Sequence, residues 1–405
     1  MSEEQQRIVD FAATGRNIFY TDSAGSGKTR VLNAIRARLD ADGNPGKLKV
    51  RVMAPTCKAA LAIEGTTTWS FAGLRPDDNK KTLESLQDRT ARNKHTRKRF
   101  NETGVIIIDE ISMVENLHLE RINAVMQAGR GKYDEPFGGV QVILIGDFFQ
   151  LPPVKPFQHC AYCGSPFRTD SEDGEDSEDT VVNYTCDSCK DFIMYRKSDK
   201  WTFQSQVWEQ CKFRHIELTT AHRQKDNAFV SLLQKCRKSI PFSQDEIDVL
   251  MNHPSDTKGA VKLFSTRAEV RQTNTAEFAK LSSVARCYTC HDQFVGEHIY
   301  NTARFREDEN GSLKYFGRDH RFEKTIELIL KMQVVLLANL NLRKGLCNGS
   351  QGVVVDFEAY DEEKLPRKSL DGTPSGGLVG EHASLMEAQI RAFARKQQHR
   401  EDFPG

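Results

Sequence analysis

What these 405 residues lack narrows the possibilities first. The opening stretch, MSEEQQRIVD, is acidic and has no apolar core, so neither a signal peptide nor a typical transit peptide is expected. The most apolar later stretch, residues 326–340, contains Lys331 and Gln333 and is too short to span a bilayer. No repeat of the solenoid type recurs along the chain. A soluble, intracellular protein with no membrane partner is the expectation. A net charge of one sign is also missing, since the formal balance is +1. That balance hides the acidic run DSEDGEDSED (170–179), without whose seven carboxylates the rest of the chain would carry about +8. The remainder leans mildly toward an anionic partner. Cysteines are uneven: four of the ten lie in the C-x-x-C pairs CAYC and CDSC, which in an intracellular protein points to metal before disulfides.

Four short apolar segments in the first 150 residues end in polar, chemistry-prone residues. They are NIFYTD (17–22), KVRVMAPT (49–56), GVIIIDE (104–110) and VQVILIGD (140–147). Near-continuous apolar runs of this length suit strands buried on both faces of a parallel sheet. Between the first two, Val31, Leu32, Ile35 and Leu39 recur at helical spacing, and DGNPG then stops the helix. Strand, loop, helix, strand predicts a doubly wound α/β domain, with functional groups at the carboxyl ends of the strands. Helix-like patterning resumes after Trp201 through FVSLLQKCRK, and AVKLFST (260–266) predicts a strand opening a second α/β unit. MQVVLLANL and GVVVDF are further strand candidates.

FYTDSAGSGKTRV (19–31) is close to a phosphate-binding loop, G-x-x-x-x-G-K-[ST]. Asp22 stands where the pattern opens with glycine; Ser23, Ala24, Gly25 and Ser26 follow, and Gly27, Lys28 and Thr29 close it. Such a turn at a helix N-terminus aims backbone N–H groups and the positive dipole end at phosphate oxygens. Lys28 would reach the β and γ phosphates of ATP, and the Thr29 hydroxyl would ligate Mg²⁺. IIIDEIS then delivers Asp109 to Mg²⁺ and Glu110 to the attacking water as general base. GDFFQLPPV places Asp147 and Gln150 at another strand end, where Gln150 can sense the γ-phosphate or the water by hydrogen bonding.

SEEQQ, SAGSGKT, GTTTWSFAGL, IIDEISMV, PFGGVQVILIGDFFQLPPV, LTTAHRQ and GLCNGSQGVVVDF occur in the order found in the petite-integration-frequency (PIF) DNA helicases. The chain resembles these superfamily-1, RecD-related motors from residue 2 to about 357. The resemblance implies a P-loop NTPase with tandem RecA-like domains. It also implies 5′-to-3′ movement on single-stranded DNA with ATP hydrolysis, action at DNA junctions, and roles in repair, recombination and telomere maintenance in nucleus or mitochondrion. By the same resemblance Gln5 reads adenine and Arg223 touches the γ-phosphate. MAPTCKAALAIEGTTTWSFAG is similar to the first DNA-contacting motifs, with Thr56 and Lys58 reaching phosphates. Trp69 and Phe71 either offer faces for base stacking or belong to the core. Asn348, Gly349 and Ser350 are implied backbone contacts, or else a glycine-rich hairpin without a ligand. The basic run RTARNKHTRKRF (89–100) either lines the DNA path or forms a solvated helix face.

CAYC and CDSC supply Cys160, Cys163, Cys186 and Cys189, a spacing that satisfies a tetrahedral four-thiolate Zn²⁺ site of the zinc-ribbon kind. With no open position such a zinc is structural, and a protein partner could dock on it. The expected organisation is a first RecA-like core (1–154), the zinc insert (155–200), the rest of that domain with a linker (201–258), and a second RecA-like domain (259–405) with a small insert around 287–325. Nothing after Phe357 resembles the family's final motif, so that second domain reads as incomplete. The alternative to a working helicase is a truncated, impaired remnant that only binds DNA or protein.

Overall fold

The computed structural model describes residues 1–22, 27–41, 48–170, 182–189, 193–219, 226–252, 261–289, 325–337, 345–357 and 391. It has two compact units, Met1–Pro254 and Ser255–Gly405.

The first unit opens with α1 (Glu3–Ala13), β1 (Ile18–Asp22), α2 (Lys28–Ala41) and β2 (Lys49–Ala54). Short elements follow: α3 (Cys57–Ala62), β3 (Thr66–Thr67), α4 (Thr68–Ala72), α5 (Leu83–Arg92) and α6 (Lys94–Asn101). Then come β4 (Thr103–Ile108), α7 (Asn116–Arg130) and β5 (Gln141–Ile145). A cysteine-bearing insert holds β6 (Arg168–Thr169), β7 (Asn183–Cys186) and β8 (Ile193–Arg196). The unit closes with α8 (Gln206–Cys211), β9 (Arg214–Leu218), α9 (Asn227–Arg237) and α10 (Gln244–Met251).

Six strands form one parallel sheet in the order β3-β2-β4-β5-β1-β9. Side chains alternate across a strand, so one sheet feeds two cores. Phe19, Met53, Ile106, Ile108, Val142 and Leu144 face Leu119, Ile122, Val125 and Met126 of α7 and Val207 and Trp208 of α8. Ile18, Tyr20, Val52, Val105, Ile107, Ile143 and Ile145 pack with Ile8, Val9 and Ala12 of α1 and Val31, Leu32 and Ile35 of α2. The helical spacing expected around residues 31–39 is therefore the inner face of α2. Ser2 and Gln5 start α1 with a reciprocal capping box. Twelve of the fifteen residues of α7 are buried, so this helix is covered on nearly every side.

Two elements depart from expectation. β9 was not anticipated; Arg214, His215 and Glu217 are exposed on this edge strand, so it carries no apolar run. Residues 261–266 are not a strand: Leu263 is 93% exposed, and Thr266 instead caps the next helix. An apolar run needs a neighbouring strand to bury it, and none among the described residues pairs with this one.

In the second unit, the described elements are α11 (Arg267–Phe278), β10 (Arg286–Thr289) with antiparallel β11 (Thr325–Leu328), and β12 (Gln333–Val335) with antiparallel β13 (Gln351–Val353). The last pair uses MQVVLLANL and GVVVDF, both anticipated as strands. Among the described residues no helix is long and apolar enough to cross a membrane.

Candidate nucleotide and nucleic-acid site

The carboxyl ends of β1, β4 and β5, three strands joined side by side in the sheet, gather the chemistry. β1 leads to Asp22 and, past the loop, to Gly27 and Lys28 at the start of α2. Gly27 has φ +91, a conformation that favours glycine, and a Cβ there would sit 3.0 Å from Gln5 Nε2. α1 thus delivers the buried Gln5 to the loop, while its capping box uses the same side chain to fix the helix start. Burial lowers the Lys28 pKa, and Glu110, Asp147 and Asp109 pull it back up in that order. Thr29 follows on the exposed side of the first helical turn.

β4 ends on Asp109 and Glu110. Asp109 is 8% exposed, and burial raises its pKa to about 6 against the Glu110 N–H that donates to Oδ1 at 2.9 Å. Glu110 takes φ 54 and ψ 45, a left-handed conformation costly for a non-glycine residue, and starts the turn at Ile111–Met113. That turn lies so close to β5 that a Cβ on Gly146 would meet the Ile111 nitrogen at 2.9 Å. Glycine lets the two strand ends converge.

β5 leads to Asp147, buried and paired with Arg237 at the end of α9. Arg237 Nε donates to Oδ2 at 2.7 Å and Nη2 to Oδ1 at 2.8 Å. Gln150 Nε2 donates to the same Oδ2 at 3.1 Å, and Phe149 N–H to Oδ1 at 3.1 Å. Burial alone would raise the Asp147 pKa, but the Arg237 fork and these donors outweigh it and hold it low. Gln150 is exposed, at the rim of the cluster. Sequence reading did not single out Arg237, because a basic residue in the last turn of a helix is the usual complement to its dipole.

Asp22 has a described backbone only, and Ser23, Ala24, Gly25, Ser26 and Arg223 lie outside the described residues. The expectations for them stand as sequence readings. A dication would find a buried carboxylate at Asp109 and a hydroxyl at Thr29. Two oxygen donors of this kind, one of them a carboxylate, suit a hard cation such as Mg²⁺.

Of the expected DNA contacts, Phe71 is corrected to a core residue: it is 3% exposed, packs on Phe100 and lies under Arg99. No face of its ring is open to a base. Trp69 is half-buried and stacks on His118 at 4.1 Å, while Thr68 Oγ1 lies 3.1 Å from His118 Nε2. Thr56 caps α3 through Ala59 N–H, and Lys58 beside it is exposed. In the basic run, Arg89 is spent on Asp78 and Arg99 on the two phenylalanine rings; Lys94, His95, Arg97 and Lys98 are exposed. In the second unit Ser350 Oγ accepts from Cys347 N–H at 3.1 Å and donates to the Gly345 carbonyl at 2.8 Å. Gly349 takes φ +90 and its N–H donates to Leu336 O, while Asn348 is exposed. The hairpin is thus braced by its own Ser350.

Cys160, Cys163, Cys186 and Cys189 bring four sulfurs within 4.8 Å of one another. Cys160 and Cys189 are 3.7 Å apart, Cys163 and Cys186 3.4 Å. Tetrahedral Zn–S bonds of about 2.3 Å require sulfurs about 3.8 Å apart, so the cluster fits Zn²⁺. Burial opposes ionisation of Cys163, yet the N–H and hydroxyl of Ser165 and the neighbouring sulfurs bring its pKa down to about 6. The insert docks on α7 through Arg121, 1% exposed, whose Nη2 donates to the His159 and Cys160 carbonyls. Glu115 accepts from Phe157 N–H at 2.7 Å, and Phe157, Leu117 and Ala161 make a small core flanked by Phe167, Tyr184 and Tyr195.

Residues 1–160 match the model of the PIF1-like helicase, and residues 323–357 that of the DNA helicase Pif1 2B domain. The ATP-dependent DNA helicase PIF1 of Xenopus laevis is 31% identical over 88% of this chain and 47% of its own length. The crystal structure of Pif1 helicase from Candida albicans is 27% identical, with a TM-score of 0.61, covering 89% of this chain and 70% of that one. Bacteroides Pif1 bound to ssDNA is 26% identical with a TM-score of 0.56, covering 88% and 70%. These likenesses carry the P-loop, tandem RecA-like α/β fold class. The chain spans about half the length of the curated relatives it matches. By its first 160 residues, its strand-end carboxylates and its structural likeness, the chain is similar to the PIF1-like helicases.

Proposed function

We propose that the chain is an ATP-driven DNA helicase motor, moving 5′ to 3′ on single-stranded DNA and opening junctions. One observation carries the reading: Lys28, Asp109, Glu110 and the Asp147–Gln150 turn converge at three neighbouring strand ends. Those positions match the needs of phosphoryl transfer, where catalysis is mostly positioning and charge stabilisation. Burial lowers the Lys28 pKa while Glu110, Asp147 and Asp109 favour its charge, and in this reading its ammonium group binds the phosphate oxygens. Mg²⁺ held by Thr29 and Asp109 would supply neutralising charge there. Glu110 takes the proton from the attacking water, held out of line with the strand by its left-handed backbone. Gln150, tethered to Asp147, hydrogen-bonds the same water or the γ-phosphate. Gln5 beside Gly27 reads the base, and Arg223 supplies further positive charge.

Exposed Lys58, Asn348 and the exposed basic residues of α6 are the DNA contacts of this reading, together with Thr56 and Trp69. The four cysteines hold a structural zinc whose insert offers a docking face to a protein partner. Genome maintenance in the nucleus or mitochondrion is the setting that goes with such a motor. The test is unwinding of a duplex with a 5′ or a 3′ single-stranded tail. Opening of the 5′-tailed substrate with ATP and Mg²⁺ supports the reading; equal opening of both, or of the 3′-tailed one alone, contradicts the polarity.

A further inference from the structure

We propose that Arg237 is a positioning residue for ATP hydrolysis, acting through Asp147 to hold the Gln150 amide in place at the end of β5. The inference rests on the motor reading above.

Asp147 Oδ2 is the shared atom: it accepts from Arg237 Nε at 2.7 Å and from Gln150 Nε2 at 3.1 Å. The second arm of the fork, Nη2 to Oδ1 at 2.8 Å, fixes the plane of the carboxylate and so the direction in which Oδ2 faces Gln150. The pair is desolvated, with side chains 10% and 1% exposed, so water competes little for either partner. The guanidinium also lies 4.7 Å from the centroid of the Phe149 ring, which is otherwise exposed, and clamps the residue between Asp147 and Gln150. Arg237 therefore touches Asp147 and Phe149 directly and reaches Gln150 only through Asp147 Oδ2.

The anchor for α9 itself is slight. Leu232 is the one buried side chain in that helix, so apolar packing alone holds it weakly. Arg237 belongs to the site's electrostatics as well: its charge opposes that of Lys28, which Glu110, Asp147 and Asp109 favour. A residue whose only task was to pin α9 would have no reason to share an oxygen with the glutamine at the phosphate side. Lysine could keep the charge but not the fork.

The test uses the full 405-residue chain, with ATP turnover measured on a single-stranded oligothymidylate. Arg237→Gln, Asp147→Asn, their double variant and Arg237→Lys are compared with the parent, each with a thermal melt. Arg237→Gln is expected to lower kcat about 10- to 100-fold while KM for ATP stays within about threefold. Arg237→Lys should recover part of the loss, and the double variant should lose no more than the worse single one. An unchanged kcat, a loss shared equally by KM and melting temperature, or multiplying single effects would overturn the proposal. If Arg237→Gln does not fold, the same cycle with Arg237→Lys and Asp147→Asn decides by the same criteria. A parent without turnover overturns the motor reading and this inference with it; an active parent indifferent to Arg237 overturns this inference alone.

Discussion

Two carboxylates of opposite consequence stand out among single residues. Asp22 opens the phosphate loop where glycine is expected. A charge about 6 Å from phosphate at an effective dielectric near 20 costs roughly 3 kcal/mol, an upper figure of about a hundredfold in affinity. Asp22→Gly should therefore tighten ATP binding, read by titration with a fluorescent ATP analogue; equal affinity of variant and parent would contradict this. Asp78 works in the other direction, stabilising the fold. It is 2% exposed and accepts from Arg89 at 2.7 and 2.9 Å, from Lys81 at 2.9 Å and from Arg75 N–H at 2.9 Å. Burial alone would raise its pKa, but these donors outweigh it and hold it well below the usual carboxylate range. A depressed folded-state pKa means the contribution is full above the unfolded value, about 3.9, and is lost as pH falls through the folded value. Asp78→Asn should cost about 2 kcal/mol at pH 7 in denaturant unfolding. The gap from the parent should shrink below about pH 4; a constant gap from pH 7 to pH 2 would contradict the assignment.

At the scale of elements, the legible and the illegible parts differ for physical reasons. β1, β2, β4 and β5 are near-continuous apolar runs because both faces of a parallel sheet are buried, and α2 shows the 3.6-residue period because one face is. β9 shares that sheet but forms its edge, so its sequence, RHIEL, is polar and silent. Arg121 and Glu115 were equally silent: a charge buried within α7 and another at its N-cap make sense only once the insert lies against them. Phe71 shows the converse, an aromatic whose role depends on what packs over it. The insert's aromatic core is small, so folding energy from metal is expected to matter. The purified chain should carry one zinc, and stripping it, or Cys163→Ser, should lower the melting temperature by about 5 °C or more. A metal-free chain that melts at the parent's temperature would remove the zinc assignment.

For the whole molecule, the central claim is that strand ends brought together by one sheet form an ATPase that DNA switches on. Glu110 tests it most directly, because glutamine keeps the size and the left-handed turn but cannot accept the proton. ATP hydrolysis by the full chain should rise on adding single-stranded DNA, and Glu110→Gln should lower it by at least about a hundredfold with nucleotide still bound. No turnover by a folded, zinc-loaded parent, or turnover indifferent to Glu110, would contradict the account and leave the chain a binding module.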